Sequence, residues 1–189
     1  MKSIVIFASG SGSNAENIIA TLSPQSLQVT RIYCNNPNAG IIARAERLKV
    51  PVCLIPKSDW SESGDFEWQQ QLRKDAPDLI VLAGFLWKIP SFLIEEFPDK
   101  IINLHPALLP KFGGKGMYGQ RVHEAVLDQN ELNTGISIHY VNAQYDEGAL
   151  IFQAQIPVAP SQNAEDLAKR IHELEHTHFP NVLLELLYP

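Results

Sequence analysis

Short apolar runs alternate with stretches of helical periodicity through the first half of the chain. The apolar runs carry aliphatic residues at successive positions, which is typical of strands buried on both faces of a parallel sheet. The stretches between them repeat apolar residues every three or four positions, as amphipathic helices do. Strands are predicted at 3–9, 29–34, 52–55, 79–84 and 100–105, with helices from about Asn14 and around 40–49, 65–74 and 91–97. This order predicts right-handed crossovers and a Rossmann-like, doubly wound, mostly parallel α/β sheet.

The pattern changes after residue 133. The segments 134–141 and 149–158 are longer and alternate more strongly between apolar and polar residues, and the polar turn 142–148 joins them. Alternation of this kind predicts strands with one face more polar than the other. We therefore expect the carboxy-terminal part of the chain to add an antiparallel strand pair to the sheet.

The last part of the chain has the pattern of a helix. It is predicted to begin near Asn163, with Ser161 or Asn163 as its cap, and to run to about His178. Pro180 has no backbone N–H, so it is expected to kink or end this helix before a last apolar segment.

The composition is that of one globular domain spanning residues 1–189, with 45% hydrophobic and 19% charged residues. The net charge is −6 and the fifteen Lys and Arg are scattered, so we expect small-molecule substrates and no nucleic-acid partner. No stretch resembles a membrane span or a signal peptide, which predicts a cytoplasmic protein with no membrane partner. Cys34 and Cys53 lack CxxC spacing and are interpreted as buried reduced thiols.

A loop of glycine, serine and asparagine, residues 10–14, follows the first predicted strand and opens the first helix. Backbone N–H groups and the helix dipole bind phosphate at such a position. The spacing also fits a loose dinucleotide fingerprint, but the second strand ends in Asn35 and Asn36, where an NAD site needs an acidic residue. A glycine turn required only for close packing is a further alternative. The serines and asparagine favour a phosphorylated ligand, with a nucleotide-binding oxidoreductase as the alternative function.

Residues 172–176 read His-Glu-Leu-Glu-His, which matches the zinc motif HExxH. The longer metal-binding motif requires a glycine three positions after the second histidine, and Phe179 stands there, so no metal site is expected. Two alternatives stay open: a solvated helix face, or a face on which His172 and Glu175, at i and i+3, both reach a ligand.

The stretch "IINLHPALLP", residues 101–110, begins as an apolar strand and places Asn103 and His105 where that strand ends. Alternation places Asn103 and His105 on the same side, at the carboxyl end of a parallel strand where ligands bind. An amide donor can stabilise an oxyanion while an imidazole moves a proton, which suits acyl transfer. No nucleophile elbow is present, so the attacking group is expected to belong to a substrate. Asp146 is expected to fold over the same edge and pair with His105; alternatively, these residues are a structural histidine and a surface turn.

Four segments resemble the phosphoribosylglycinamide formyltransferase family: "FASGSGSNAENII", "VLAGFLWKIP", "IINLHPALLPKFGGKGMYG" and "TGISIHYVNAQYDEGALIFQ". The resemblance spans nearly the whole chain. It implies the formyltransferase fold and transfer of a formyl group from 10-formyltetrahydrofolate to the amine of phosphoribosylglycinamide in purine biosynthesis, without a metal. Other members of the fold, methionyl-tRNA formyltransferase and formyltetrahydrofolate hydrolase, are less favoured because of the acidic charge and the glycine loop. A monomer or weak homodimer is expected.

The resemblance also implies roles for individual residues. The implied catalytic residues are Asn103, His105 and Asp146. The implied binding residues for the amine substrate are Gly12, Ser13, Asn14, His172 and Glu175. Those for the folate are Leu86, Trp87, Lys88, Ile89, Asn103, Asn142, Ala143, Gln144, Tyr145 and Asp146.

Several positions depart from the family pattern. Trp87 stands where some members have Arg, and His172 where some have Lys. Additional contacts to phosphate or folate are possible from Lys111, Lys115 and Arg121, in a loop predicted at 111–123. The implied mechanism is direct attack by the amine, with Asn103 and a protonated His105 holding the oxyanion and Asp146 keeping the imidazole charged.

Overall fold

The computed structural model describes residues 1–22, 27–61, 65–161 and 163–189. The strands are β1 (Lys2–Ala8), β2 (Leu27–Cys34), β3 (Val52–Leu54), β4 (Leu79–Leu82), β5 (Ile101–His105), β6 (Asn133–Tyr140) and β7 (Leu150–Pro157). The helices are α1 (Ser13–Thr21), α2 (Gly40–Leu48), α3 (Glu67–Asp75), α4 (Ser91–Glu96), α5 (Gln120–Asp128) and α6 (Ala164–Leu187), with a short 3-10 helix at Lys57–Asp59.

Within the described residues, the seven strands form one sheet in the order β3-β2-β1-β4-β5-β6-β7. Strands β1 to β5 pair in parallel, and β6 and β7 add to the β5 edge in antiparallel fashion. The mostly parallel α/β sheet with an antiparallel carboxy-terminal strand pair is therefore confirmed.

Both faces of β1 are buried, as its uninterrupted apolar sequence predicts. Ile4 and Ile6 lie in a core formed with helices α1, α2 and α6, and Val5 and Phe7 lie in a second core on the opposite face. Because a parallel sheet is covered by helices on both sides, such strands have no polar face. The two cores together fix the sheet so that the carboxyl ends of β1, β4 and β5 lie side by side.

The loop predicted at 111–123 is shorter in the structure because α5 begins at Gln120. The helix packs against α6 and buries Val122, His123 and Val126. Glycines at 113, 114, 116 and 119 dominate the preceding segment and hide the start of the helix from periodicity arguments.

Helix α6 continues through Pro180 to Leu187, so the expected break near His178 is wrong. Proline at position 180 frees the carbonyl of His176, four residues earlier. The Asn17 side chain donates a hydrogen bond to that carbonyl at 2.9 Å, which replaces the missing helical bond. The helix is N-capped by Asn163, as one of the two predicted alternatives required. No helix in the described ranges is long and apolar enough to cross a membrane.

Candidate active site

A cavity of about 930 Å³ opens where the parallel strands end. Its walls are the loops after β1 and β4, the end of β5, the segment before α5, the 142–146 turn and one face of α6. The volume is at the upper end of the ~300–1,000 Å³ usual for small-molecule sites. The switch from parallel to antiparallel pairing at β5 thus lies beside the cavity.

Most of the sequence-predicted site residues line this cavity. They are Gly12, Ser13, Asn14, Leu86, Trp87, Lys88, Ile89, Asn103, His105, Asn142, Gln144, Tyr145, Asp146, His172 and Glu175. Ala143, also in the described part of the chain, is exposed and does not line it. Lys115 and Arg121 are at the cavity wall, whereas Lys111 pairs with Glu131 at 2.6 Å and lines a separate depression.

Three polar side chains meet at the end of β5. Asn103 Nδ2 is 3.4 Å from Asp146 Oδ1, and His105 Nδ1 is 3.7 Å from Asp146 Oδ2. The 142–148 turn therefore folds over the sheet edge as predicted and brings Asp146 to the two strand residues. The distance from His105 to Asp146 is longer than a direct hydrogen bond. The carboxylate acts on the ring through its charge.

His105 is held by the main chain of the next turn. Its Nε2 donates to the carbonyl of Phe112 at 2.8 Å, so a neutral ring carries its proton on Nε2 and its lone pair on Nδ1, the atom 3.7 Å from Asp146 Oδ2. Burial lowers the pKa of His105 below 6.5, although Asp146 opposes the shift. Burial therefore disfavours the charged ring, whereas the neighbouring Asp146 carboxylate favours it.

Asp146 is kept ionised by its neighbours. Burial alone would raise the pKa of its carboxyl. The contacts with His139, His105 and the Gly114 N–H lower this pKa by more than burial raises it, so it lies below its ordinary value. The Gly114 N–H donates to Asp146 Oδ2 at 2.8 Å. Asp146 itself has φ 57°, a left-handed conformation that turns its side chain back over the sheet. A negative charge is thus fixed beside His105.

Two buried polar residues on β6, next to the Asn103 and His105 pair, were not predicted from the sequence. Asn103 pairs across strands with His139, and His105 pairs with Ser137. Ser137 accepts from the Leu109 N–H at 2.9 Å and donates to the Ala107 carbonyl at 2.7 Å. Its hydroxyl therefore holds the turn after β5. The alternation Ser-Ile-His was visible, but its pairing register was not.

The glycine loop begins α1 with backbone that favours glycine. Gly12 is the helix N-cap with φ 79°, and a Cβ there would lie 2.2 Å from Ile41 Cδ1. No side chain of the described residues caps this helix. The first N–H groups therefore remain available to an anion, and the loop and the first turn of the helix line the cavity.

Helix α6 supplies a polar cluster next to that loop. Glu175 Oε2 accepts from Asn14 Nδ2 at 2.8 Å and from His172 Nδ1 at 2.9 Å. The His172 and His176 ring centroids are 4.0 Å apart with the ring planes tilted by 57°, and no group of three or more metal-ligating side chains occurs in the described ranges. Of the alternatives for the HExxH motif, the ligand-facing pair His172 and Glu175 fits best.

An aromatic wall lies at the other side of the cavity. Trp87 packs against Trp60 with ring centroids 5.5 Å apart, and Lys57 Nζ lies 4.4 Å above the Trp87 ring. The Leu86 N–H donates to Ser9 Oγ at 2.9 Å, which anchors this loop to the end of β1. Flat apolar surface beside backbone polar groups suits a planar heterocycle.

Comparison with known proteins agrees with this geometry. The chain is 38% identical over 187 residues to the chloroplastic phosphoribosylglycinamide formyltransferase of Arabidopsis thaliana, covering 96% of this chain and 64% of that relative. It is 35% identical over 191 residues to the phosphoribosylglycinamide formyltransferase of Bacillus subtilis, covering 99% and 95%. The chain therefore spans less than two thirds of the plant relative's length and nearly all of the bacterial one.

Solved structures show the same fold. Glycinamide ribonucleotide transformylase 1 from Geobacillus kaustophilus superposes with a TM-score of 0.88 at 33% identity, covering 99% of both chains. A phosphoribosylglycinamide formyltransferase from Bacillus halodurans gives a TM-score of 0.86 at 31% identity, over 99% of this chain and 96% of that one. The family model described as formyl transferase matches residues 2–183. The chain belongs to the formyl transferase family.

Proposed function

We propose that the protein transfers the formyl group of 10-formyltetrahydrofolate to the amine of phosphoribosylglycinamide, a step of purine biosynthesis. The observation that carries this proposal is the shared cavity: the Asn103, His105 and Asp146 cluster and the uncapped helix at Gly12 line the same space. An amide and an imidazole supply acyl-transfer chemistry, and the helix terminus supplies a phosphate site. The names of the relatives in plants and bacteria describe the same activity.

Three residues carry the transfer in this proposal. Asn103 donates an N–H to the formyl oxygen, where negative charge develops as the amine attacks. His105, neutral at rest, accepts a proton from the amine at Nδ1 and returns it to the departing folate nitrogen. Asp146 stabilises the positive charge on the ring between these two transfers. No covalent bond to the enzyme forms, because the attacking nitrogen comes from the substrate.

The other end of the cavity selects the amine substrate. The N–H groups at Gly12, Ser13 and Asn14 receive the phosphate, supported by the dipole of α1. Glu175 holds Asn14 and His172 in place and offers its remaining carboxylate oxygen to the substrate. With His172 in place of a lysine, less positive charge is supplied at this point than in the members that carry lysine.

The folate is expected to contact the aromatic side of the cavity. Backbone from Leu86 to Ile89 offers amide groups for its ring, next to the Trp87 surface. The turn from Asn142 to Asp146 lines the opposite wall. A monomer or weak homodimer acting as a single domain in the cytoplasm, without nucleic-acid or membrane partners, completes the proposal.

An absorbance assay separates this function from its rivals. The protein is mixed with 10-formyltetrahydrofolate, with and without phosphoribosylglycinamide, and separately with reduced nicotinamide cofactors. Folate turnover that requires the amine supports the proposal. Turnover without the amine would instead indicate a hydrolase, and cofactor oxidation would indicate a nucleotide-binding oxidoreductase.

A further inference from the structure

We infer that His139 is a positioning residue for the transfer reaction, acting through the Asn103 amide, and this inference rests on the function proposed above. His139 lies directly across from Asn103 in the β5–β6 pair and is 2% exposed. Its Nε2 is 3.1 Å from Asn103 Nδ2, closer than Asp146 is to the same amide nitrogen. The ring thus makes the shorter contact with the proposed oxyanion donor.

The tautomer of His139 follows from its second nitrogen. Nδ1 is 2.8 Å from the Tyr140 carbonyl, and a carbonyl oxygen can only accept. Nδ1 therefore carries the proton, and a neutral ring presents a lone pair at Nε2. That lone pair accepts an N–H from Asn103, which fixes the orientation of the amide plane.

Asp146 makes the same orientation more favourable. Its Oδ1 lies 3.4 Å from Asn103 Nδ2 and 3.5 Å from His139 Nε2, and a carboxylate oxygen is also an acceptor, so the Asn103 amide is the donor between these two acceptors. A flipped amide would place its oxygen against both the carboxylate and the Nε2 lone pair, which is repulsive. One N–H therefore points to His139 and the other to Asp146, and the longer contact with Asp146 is the one that the formyl oxygen replaces when the substrate binds.

The surroundings leave the His139 ring little freedom. Gly148 packs so closely that a Cβ there would lie 1.6 Å from the Tyr140 carbonyl oxygen, the atom that receives Nδ1–H. The same carbonyl ties the ring to the β6 end, and Tyr140 N–H donates to Ala149 at 2.9 Å. The hydrogen bond from Asn103 to His139 is therefore supported by a strand end with little freedom to move.

Two conservative variants separate this role from a structural one. In His139→Gln the side-chain oxygen can take the place of Nε2 and accept from Asn103. In His139→Asn the amide can take the place of Nδ1 and donate to Tyr140, but it cannot reach Asn103. His139→Phe removes both ring nitrogens and serves as the reference. We expect His139→Phe and His139→Asn to lower kcat about tenfold to hundredfold at nearly constant KM, and His139→Gln to keep most of the wild-type kcat.

A double-mutant cycle identifies the residue through which His139 acts. In an Asn103→Ala background, His139→Phe should cause almost no further loss of kcat, whereas in an Asp146→Asn background its loss should persist. The inference is overturned if the losses of kcat in His139→Phe and Asn103→Ala are fully additive, or if kcat is kept in His139→Asn but not in His139→Gln. Absence of formyl transfer in the wild-type protein would refute the proposed function instead.

A readout without turnover completes the test. In ¹⁵N spectra of the free protein, the Asn103 side-chain amide protons should exchange slowly in the wild type and in His139→Gln, and rapidly in His139→Phe and His139→Asn. Equal exchange rates of these amide protons in all four proteins, with unchanged melting temperatures, would contradict a hydrogen bond from Asn103 to His139 that fixes the amide.

Discussion

The two ends of the cavity are built in different ways. At the transfer end, Asn103 and His105 are on β5 and are held by cross-strand neighbours and a turn that closes over them. His105 is 3% exposed there. At the anchoring end, the 10–14 loop and α6 meet through Glu175, and the His172 side chain is 39% exposed.

This difference matches the two tasks proposed for the site, formyl transfer and phosphate binding. Charge that develops during a reaction is stabilised best by buried dipoles that are already oriented, which a strand pair supplies. A phosphate keeps its charge throughout, so backbone N–H groups at an accessible helix terminus are sufficient. We therefore expect substitutions at the transfer end to lower kcat and those at the anchoring end to raise KM for the amine.

Asn103→Ala should have the largest effect. Loss of one oxyanion donor lowers kcat about 10²–10³-fold, with a small change in KM, because the interaction strengthens only in the transition state. Steady-state kinetics with both substrates measure this. Asn181→Ala, an exposed asparagine on α6, is the matched control. A loss below about tenfold in Asn103→Ala would remove the oxyanion role.

Asp146→Asn should lower kcat about 10²-fold and change the pH profile. The wild-type rate falls as pH drops through the pKa of His105, since the base must be neutral, and burial places that pKa below 6.5. Removing the carboxylate charge, which raises this pKa, moves the acid limb to still lower pH. Glu147→Gln, the exposed neighbouring acid, should leave the limb in place. An acid limb shifted upward would show that the sign is wrong.

Gly12→Ala tests the anchoring end. A side chain there must adopt φ 79° and overlap Ile41, so we expect about 1–2 kcal/mol lower stability and a KM for the amine at least tenfold higher. Thermal unfolding and kinetics report the two effects. Gly10→Ala, where a Cβ meets nothing within 4 Å, should keep the wild-type melting temperature. Equal melting temperatures for both variants would contradict the packing argument.

Glu175→Gln should raise KM for the amine about tenfold while kcat changes little. The carboxylate accepts from both Asn14 and His172, and hydrogen bonds to a charged group contribute ~1.5–3 kcal/mol. Titration calorimetry with phosphoribosylglycinamide measures the affinity directly. Glu173→Gln, exposed on the same helix, is the control and also removes the base of the HExxH motif. A fall in kcat alone would place Glu175 at the transfer end.

Lys111→Ala should have the smallest effect. Exposed Lys111 pairs with half-buried Glu131 outside the cavity, and surface ion pairs contribute ~0–1 kcal/mol. Both KM values and kcat are expected to match the wild type. Any clear rise in KM would mean that the segment before α5 reaches the ligands in another arrangement.

Much of the fold could be predicted because its signals are local. Residues 3–9 are a continuous apolar run that forms β1, and the alternation at 134–141 corresponds to β6. Helix α5 was missed because glycines surround its start, and the expected stop at Pro180 failed because Asn17, far away in sequence, satisfies the freed carbonyl. The first error comes from a misleading local pattern, and the second from a partner residue that lies outside any local sequence window.

The sheet class, the glycine loop at the start of α1 and the placement of Asn103 and His105 on one side of β5 could be predicted from the sequence, since alternation and turn chemistry act between near neighbours. Tertiary structure alone decided that His139 faces Asn103 and that Phe112 holds His105 by its Nε2 proton. It also decided that burial outweighs Asp146 in setting the pKa of His105. Register and burial depend on contacts between distant segments, and those contacts exist only once the chain has folded.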